Sequence, residues 1–265
     1  MPNILNVSGD FRKGFVVADE VTGSITNSLG MPTPEPDVWK REARRVARMK
    51  GSRFFVMSVT ATPQKGTEEE VLSQFGELAL AGKAAGADAV ELNLSCPNVL
   101  PGEGGETFAN PKLSGKIVDA VRSRVGSQLP ILVKAGYLEE YGEFVDETYD
   151  DMLAYVVINS VPGVVRDASG ATLFADRGGR AGVCGAAIRE KARAAVLKLS
   201  RLRRGKRDFE VIGLGGVLGA WDALALIDRG ASAVETATGA LLDPSLGLRI
   251  SLGLLRGMTG ERKRS

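Results

Sequence analysis

The stretch from Asp88 to Lys134 opens with DAVELNL (Asp88–Leu94), passes through NPKLSGKIVDAVRSRV (Asn110–Val125) and closes on ILVK (Ile131–Lys134). The first and last pieces are short runs that carry β-branched residues, and they read as strands. In the middle piece Leu113, Ile117, Val118 and Val121 recur on one helical face, with Asn110 placed to cap and Pro111 in the first turn. Strand, helix and strand in this order make a parallel unit.

The alternation extends in both directions. Candidate strands are Ile4–Ser8, Gly14–Ala18, Arg53–Val59, Asp88–Leu94, Ile131–Lys134, Ala154–Ile158, Phe209–Gly213 and Ala233–Ala237. Helices fit at Asp37–Met49, at Thr67–Ala85 with the capping box Thr67-x-x-Glu70, at Pro111–Val125, and at Gly185–Leu202, Ala220–Arg229 and Gly239–Leu255. Eight strands alternating with helices in 265 residues predict an α/β fold, a (β/α)8 TIM barrel, as a single domain over residues 1–265. Only five residues separate Ser8 from Gly14, too few for a crossover helix. The N-terminal unit is therefore abbreviated, opening either as a hairpin or as an incomplete end of the barrel.

Composition narrows the chemistry. The chain contains no histidine and two cysteines, Cys96 and Cys184. That removes Ser/His and Cys/His nucleophile pairs, imidazole bases and zinc-ribbon sets, so no metal site is expected. Catalysis would have to come from Lys, Cys, carboxylates or a cofactor. No apolar run approaches the length of a membrane span and no signal-peptide pattern opens the chain, so the expected setting is cytoplasmic, with no membrane partner. Nine Lys/Arg against one acidic residue in Arg189–Arg207 suggest nucleic acid, but the apolar spacing of Ala194, Val196, Leu197, Leu199 and Leu202 makes this the outer face of a barrel helix. No nucleic-acid partner is expected.

In a barrel the chemistry gathers where the strands end. After the fourth strand, Asn93, Ser95, Cys96 and Asn98 place two carboxamides, a hydroxyl and a thiol within six residues. Carboxamides can read an amide or imide edge, and a thiol can trade a proton; the alternative is a polar turn with a buried cysteine. Lys134 ends an apolar strand, either as a cation for the barrel mouth or as a snorkelling surface lysine. Gly215 and Gly216, with Ala237, Thr238 and Gly239, follow strands seven and eight, where helix starts and bare backbone make the phosphate pocket of barrels. The long segment from Val161 to Gly182 is a lid or carries a hairpin of its own.

ELNLSCPNV at Glu91–Val99 resembles the signature of the soluble dihydroorotate dehydrogenases and of the related pyrimidine domain of dihydropyrimidine dehydrogenase. Further segments resemble the family in the same order: NSLGMP from Asn27, ILVK from Ile131, INS at Ile158–Ser160, AGVCGAAI, IGLGGV and ATGALL. The resemblance implies an FMN-containing barrel that oxidises dihydroorotate to orotate in pyrimidine biosynthesis. It implies Cys96 as the catalytic base, with Lys134 as a second catalytic residue that contacts the flavin. Asn27, Asn93, Asn98, Asn159 and Ser160 would bind the pyrimidine. Ser8, Gly9, Asn93, Lys134, Gly185, Gly215, Gly216, Ala237 and Thr238 would bind FMN. A homodimer and an electron-transfer partner subunit are implied with it. Two stretches depart from the family. Ala18-Asp19-Glu20 stands where Thr-Lys-Ser or Thr-Lys-Thr is usual, and Ala135-Gly136-Tyr137 where Leu-x-Pro is usual. Two carboxylates in place of a cation would repel an anionic substrate, so the alternatives are another reduced pyrimidine or a binding protein without redox turnover.

Overall fold

The structure is a computed structural model, and it describes residues 16–19, 21–27, 33–63, 66–95, 106–167, 169–174, 180–203 and 208–258. In chain order the strands and helices are β1 (Val16–Asp19), β2 (Ser24–Asn27), α1 (Pro36–Met49), β3 (Val56–Val59), α2 (Glu68–Ala85), β4 (Ala89–Asn93), α3 (Pro111–Val125), β5 (Ile131–Ala135), α4 (Gly142–Thr148), β6 (Ala154–Val157), β7 (Val161–Val164), β8 (Arg180–Gly185), α5 (Arg189–Arg203), β9 (Glu210–Leu214), α6 (Ala220–Ile227), β10 (Ala233–Glu235), α7 (Thr238–Leu242) and α8 (Leu246–Met258). The described residues fall into two compact units, one of 33–155 with 208–209 and one of 16–27 with 156–203 and 210–258. Six parallel strands follow the order β10-β9-β6-β5-β4-β3; Ala154 and Tyr155 of β6 belong to the first unit, Val156 and Val157 to the second.

The first unit is built from caps and buried stripes. Thr67 accepts the Glu70 N–H at 3.2 Å, and the Glu70 carboxylate accepts the N–H of Gly66, so both members of the box satisfy donors at the start of α2. Asn110 accepts the Leu113 N–H at 3.1 Å ahead of Pro111. Val71, Phe75 and Ala79 of α2 and Leu113, Ile117, Val118 and Val121 of α3 are buried. Beneath them β3, β4 and β5 pair in parallel, with Ser58 opposite Glu91, Val90 opposite Ile131 and Asn93 opposite Lys134. A second cluster joins Phe144, Tyr155 and Phe209, with centroids 5.6 and 4.9 Å apart.

In the second unit β9 and β10 pair in parallel, and Ile158 donates to the Leu214 carbonyl at 2.6 Å. Ala192, Ala195, Val196 and Leu199 give α5 its buried face. The same unit holds an antiparallel sheet in the order β1-β2-β8-β7.

Four expectations are corrected or completed here. Six parallel strands are present among the described residues rather than eight, and Ile4–Ser8 lies outside them. The strand expected at Gly14–Ala18 is β1, which pairs antiparallel with β2 instead of joining the parallel sheet. The cause is a turn: the Asp19 carboxylate accepts the N–H groups of Val21 and Thr22 and the Thr22 hydroxyl, and Gly23 closes it onto the Asp19 carbonyl. The segment from Val161 to Gly182 carries β7 and the start of β8, paired as a hairpin. The single helix expected over Gly239–Leu255 is α7 and α8, because Pro244 cannot donate and Asp243 caps the second helix through Ser245.

Candidate active site

Three neighbouring strands of the first unit direct polar groups to one place. Glu91, in the middle of β4, is 2% exposed. Its Oε1 accepts the Ser58 hydroxyl of β3 at 2.6 Å and lies 3.2 Å from the Lys134 Nζ of β5. The Lys134 side chain is 15% exposed, so it is a half-buried ion-pair partner and not a snorkelling surface lysine. Asn93, two residues beyond Glu91 on the same face, accepts the Ser95 N–H at its Oδ1. That orients its amide nitrogen as the donor end. Thr60, one residue beyond β3, donates to the Asn93 carbonyl at 3.0 Å.

Cys96 and Asn98 lie outside the described residues, which end at Ser95 and resume at Glu106. Phe108 donates to the Leu94 carbonyl at 3.1 Å, which returns the chain to the end of β4. Among the described residues, the buried hydroxyls of Ser95 and Thr107 have no hydrogen-bond partner. Groups of this kind are seldom left so without a use. Burial pushes Glu106 up to about 7. Over the range from its ordinary value to about 7 the folded chain holds a proton that the unfolded chain has released, so stability falls as pH rises through that range. The loss is on the order of 1–2 kcal/mol after allowance for partial solvent contact. Melting curves should show Tm decreasing with pH across this window and a flatter course in Glu106→Gln; parallel courses would count against the buried acid.

The second unit carries the remaining polar and glycine-rich positions. The Asn27 amide is 4.0 Å from the Cys184 sulfur. A Cβ at Gly182 would lie 3.3 Å from the Ser160 hydroxyl and 3.6 Å from the Asn27 backbone carbonyl, so the bare glycine leaves room for the Ser160 side chain beside the β2 backbone. Asn159 precedes Ser160, half-buried after β6. Gly185 packs beside Thr238, whose methyl would be 2.9 Å from a Cβ there. Gly215 and Gly216 leave β9 with φ of +114° and +76°. The turn they begin is tied down from behind: Arg189 Nε donates to the Gly216 carbonyl at 3.1 Å, Asp222 accepts the Leu218 N–H at 3.0 Å, and Arg189 and Asp222 pair at 2.8 Å. Thr236, just before Ala237, donates to the Val217 carbonyl at 2.8 Å. Ser8 and Gly9 lie outside the described residues.

Taken unit by unit, the residues present suit parts of a flavin mononucleotide. In the second unit the bare backbone of the Gly215-Gly216 turn is of the kind that holds a phosphate, and in the first unit Lys134 and Asn93 are a cation and an amide of the kind that suit a ring edge. Three contributors were missed from the sequence. Glu91 was legible as a charge inside an apolar strand, whereas Arg189 and Asp222 meet only through the fold. The two departures also gain local accounts. Asp19 is occupied in its turn, which holds its carboxyl below the usual range, chiefly through the Thr22 hydroxyl. Gly136 makes room for the Phe108 ring, which a Cβ would meet at 2.5 Å. The basic run of α5 is partly spent in pairs of Arg193 with Glu190 and Arg203 with Glu210. Among the described residues no helix is long and apolar enough to cross a membrane.

A family model, dihydroorotate dehydrogenase, matches residues 16–258. The chain belongs to the dihydroorotate dehydrogenase family. Among its relatives, the catalytic subunit of dihydroorotate dehydrogenase B (NAD(+)) from Methanothermobacter thermautotrophicus is 29% identical over 91% of this chain and 75% of its own length. Dihydroorotate dehydrogenase of Dictyostelium discoideum is 26% identical over 85% of this chain, which spans 62% of that relative. A crystal structure of the Eimeria tenella enzyme in complex with ferulenol superposes with a TM-score of 0.72 at 19% identity, over 94% of this chain and 71% of that one. That likeness bears on the fold alone, which is the family's TIM barrel.

Proposed function

We propose that the chain is an FMN-dependent oxidoreductase that oxidises dihydroorotate to orotate in pyrimidine biosynthesis. The observation that carries this reading is the pairing of Asn93 with Lys134 at the C-terminal ends of adjacent strands, within a family match that runs from 16 to 258. Bound FMN would supply the hydride acceptor that side chains lack. The chain's own residues would do the rest. Cys96 takes the C5 proton as the substrate is oxidised. Asn93, Asn98, Asn27, Asn159 and Ser160 hydrogen-bond the ring and carboxylate and so fix which face is presented. Lys134 meets the flavin edge. Gly185, Gly215, Gly216, Ala237 and Thr238, with Ser8 and Gly9, hold its chain and phosphate. A cytoplasmic homodimer that passes electrons to a partner subunit completes the reading.

One observation favours a second substrate. Where the family carries a lysine, this chain carries Asp19, committed to a turn, so no cation from that position meets a substrate carboxylate. A reduced pyrimidine without the carboxylate is the second reading. Titration of the purified apoprotein with FMN, followed by fluorescence quenching, should saturate at one flavin per chain and yield a yellow protein. Anaerobic mixing with dihydroorotate should then bleach it. Failure to take up FMN would overturn the redox reading; a yellow protein bleached only by the uncharged pyrimidine would select the second substrate.

A further inference from the structure

We infer that Glu91 is a positioning residue, whose buried carboxylate holds the Lys134 ammonium at the flavin and offsets its charge; the flavin half rests on the reading above that Lys134 meets that group. Val90 and Leu92 on either side of Glu91 are fully buried, and Glu91 itself is 2% exposed. A carboxylate taken out of water is tolerated only with partners that replace its hydration. Here the partners come from both neighbouring strands. Ser58 stands directly opposite Glu91 in the register, and its hydroxyl donates to Oε1 at 2.6 Å. The Lys134 ammonium donates to the same oxygen at 3.2 Å.

A lysine at a strand end has four rotatable bonds and a strong pull toward solvent. The carboxylate behind it fixes where the ammonium stops. It also leaves a nearly neutral pair in place of a lone cation. A lone cation beside a flavin favours the more negative, reduced form, so Glu91 is set to lower the midpoint potential of bound FMN.

The test has one readout on the apoprotein and one on the loaded protein. Acetylation of apoprotein lysines with acetic anhydride, read by mass spectrometry, should modify Lys134 at least about tenfold more slowly than Lys116, whose side chain is 55% exposed. Glu91→Gln keeps the shape and the acceptor for Ser58, and it should speed acetylation of Lys134 about tenfold while leaving Lys116 unchanged. With FMN bound, Glu91→Gln should raise the reduced-to-oxidised ratio at fixed redox poise about tenfold, an upward shift of about 30 mV for a two-electron couple. On a Lys134→Met background the same substitution should move the potential no further, because a carboxylate buried without its cation takes up a proton and carries no charge to lose. An unchanged rate at Lys134 overturns the anchoring whether or not FMN binds. An unchanged potential in an FMN-loaded variant overturns the tuning while the proposed reaction stands. If no FMN is taken up, the underlying reading fails, and the flavin half of this inference fails with it. Should Glu91→Gln not fold, Lys134 reacting as fast as Lys116 in the wild type would still overturn the anchoring.

Discussion

Replacing Cys96 with Ala should slow reduction of bound flavin by dihydroorotate by a factor on the order of 10² to 10⁴, the usual share of a general base, without releasing FMN. The thiol acts by accepting a proton, so the wild-type rate should climb with pH through an apparent pKa near that of a thiol, about 8.5 before any local shift. Cys96→Ser should keep partial activity at high pH, because a hydroxyl preserves the geometry but accepts a proton poorly near neutrality. Stopped-flow bleaching across a pH series separates this from a cysteine that merely fills a turn, for which both variants would run close to the wild-type rate. In either case FMN should stay bound, since the groups proposed to hold it lie elsewhere in the sequence.

Gly216→Val should abolish FMN retention and also lower stability by roughly 2–5 kcal/mol. Two effects combine. With φ at +76° a side chain is strained. The new Cβ would also fall 2.6 Å from Arg189 Cβ and 2.8 Å from Arg189 Cα, so the clash is with the first residue of α5 and not with a movable tip. The loss corresponds to a fall in Tm on the order of 10 °C. Far-ultraviolet circular dichroism should persist at low temperature while the melt shifts. Gly219→Ala is the matched control: a Cβ there meets nothing within 4 Å, so flavin uptake should be unchanged and the melt should shift only by the small cost of alanine at the α6 N-cap. Full FMN retention in Gly216→Val would remove the turn from the phosphate site.

The parts of the fold legible in the sequence are those whose determinants are local. The caps of α2 and α3 lie within four residues of the helices they start, and β4 and β5 are written as buried runs on either side of α3. β2 escaped, and β7 and β8 were foreseen only as a hairpin that was one alternative to a lid over Val161–Gly182, because Ser24-Ile25-Thr26-Asn27 and Val161-Pro162-Gly163-Val164 are short, mixed and rich in turn formers. The pairing of β2 with β8 joins segments far apart in the chain, so no period announces it. The break between α7 and α8 was available in Asp243-Pro244, whose chemistry was outweighed by the apolar period on either side. At the site, residue types were readable and partnerships were not. Nothing local says that Asp222 will meet Arg189 behind Gly216, whereas Glu91 between Val90 and Leu92 already asks for a buried cation.

The antiparallel sheet also bears on the order in which the chain can fold. Ser24 lies opposite Gly185 and Asn27 opposite Gly182, so β2 must wait for a partner synthesised some 160 residues later. At about 5–20 residues per second the interval is roughly 8–30 s. During it β1 and β2 amount to an isolated two-stranded ribbon, which is marginal in water. The βαβ contacts of β3, β4 and β5 close over much shorter loops and can form first. β1 and β2 are thus secured only when β8 arrives, and a ribosome-stalled chain ending before β8 would leave them open to misplaced pairing.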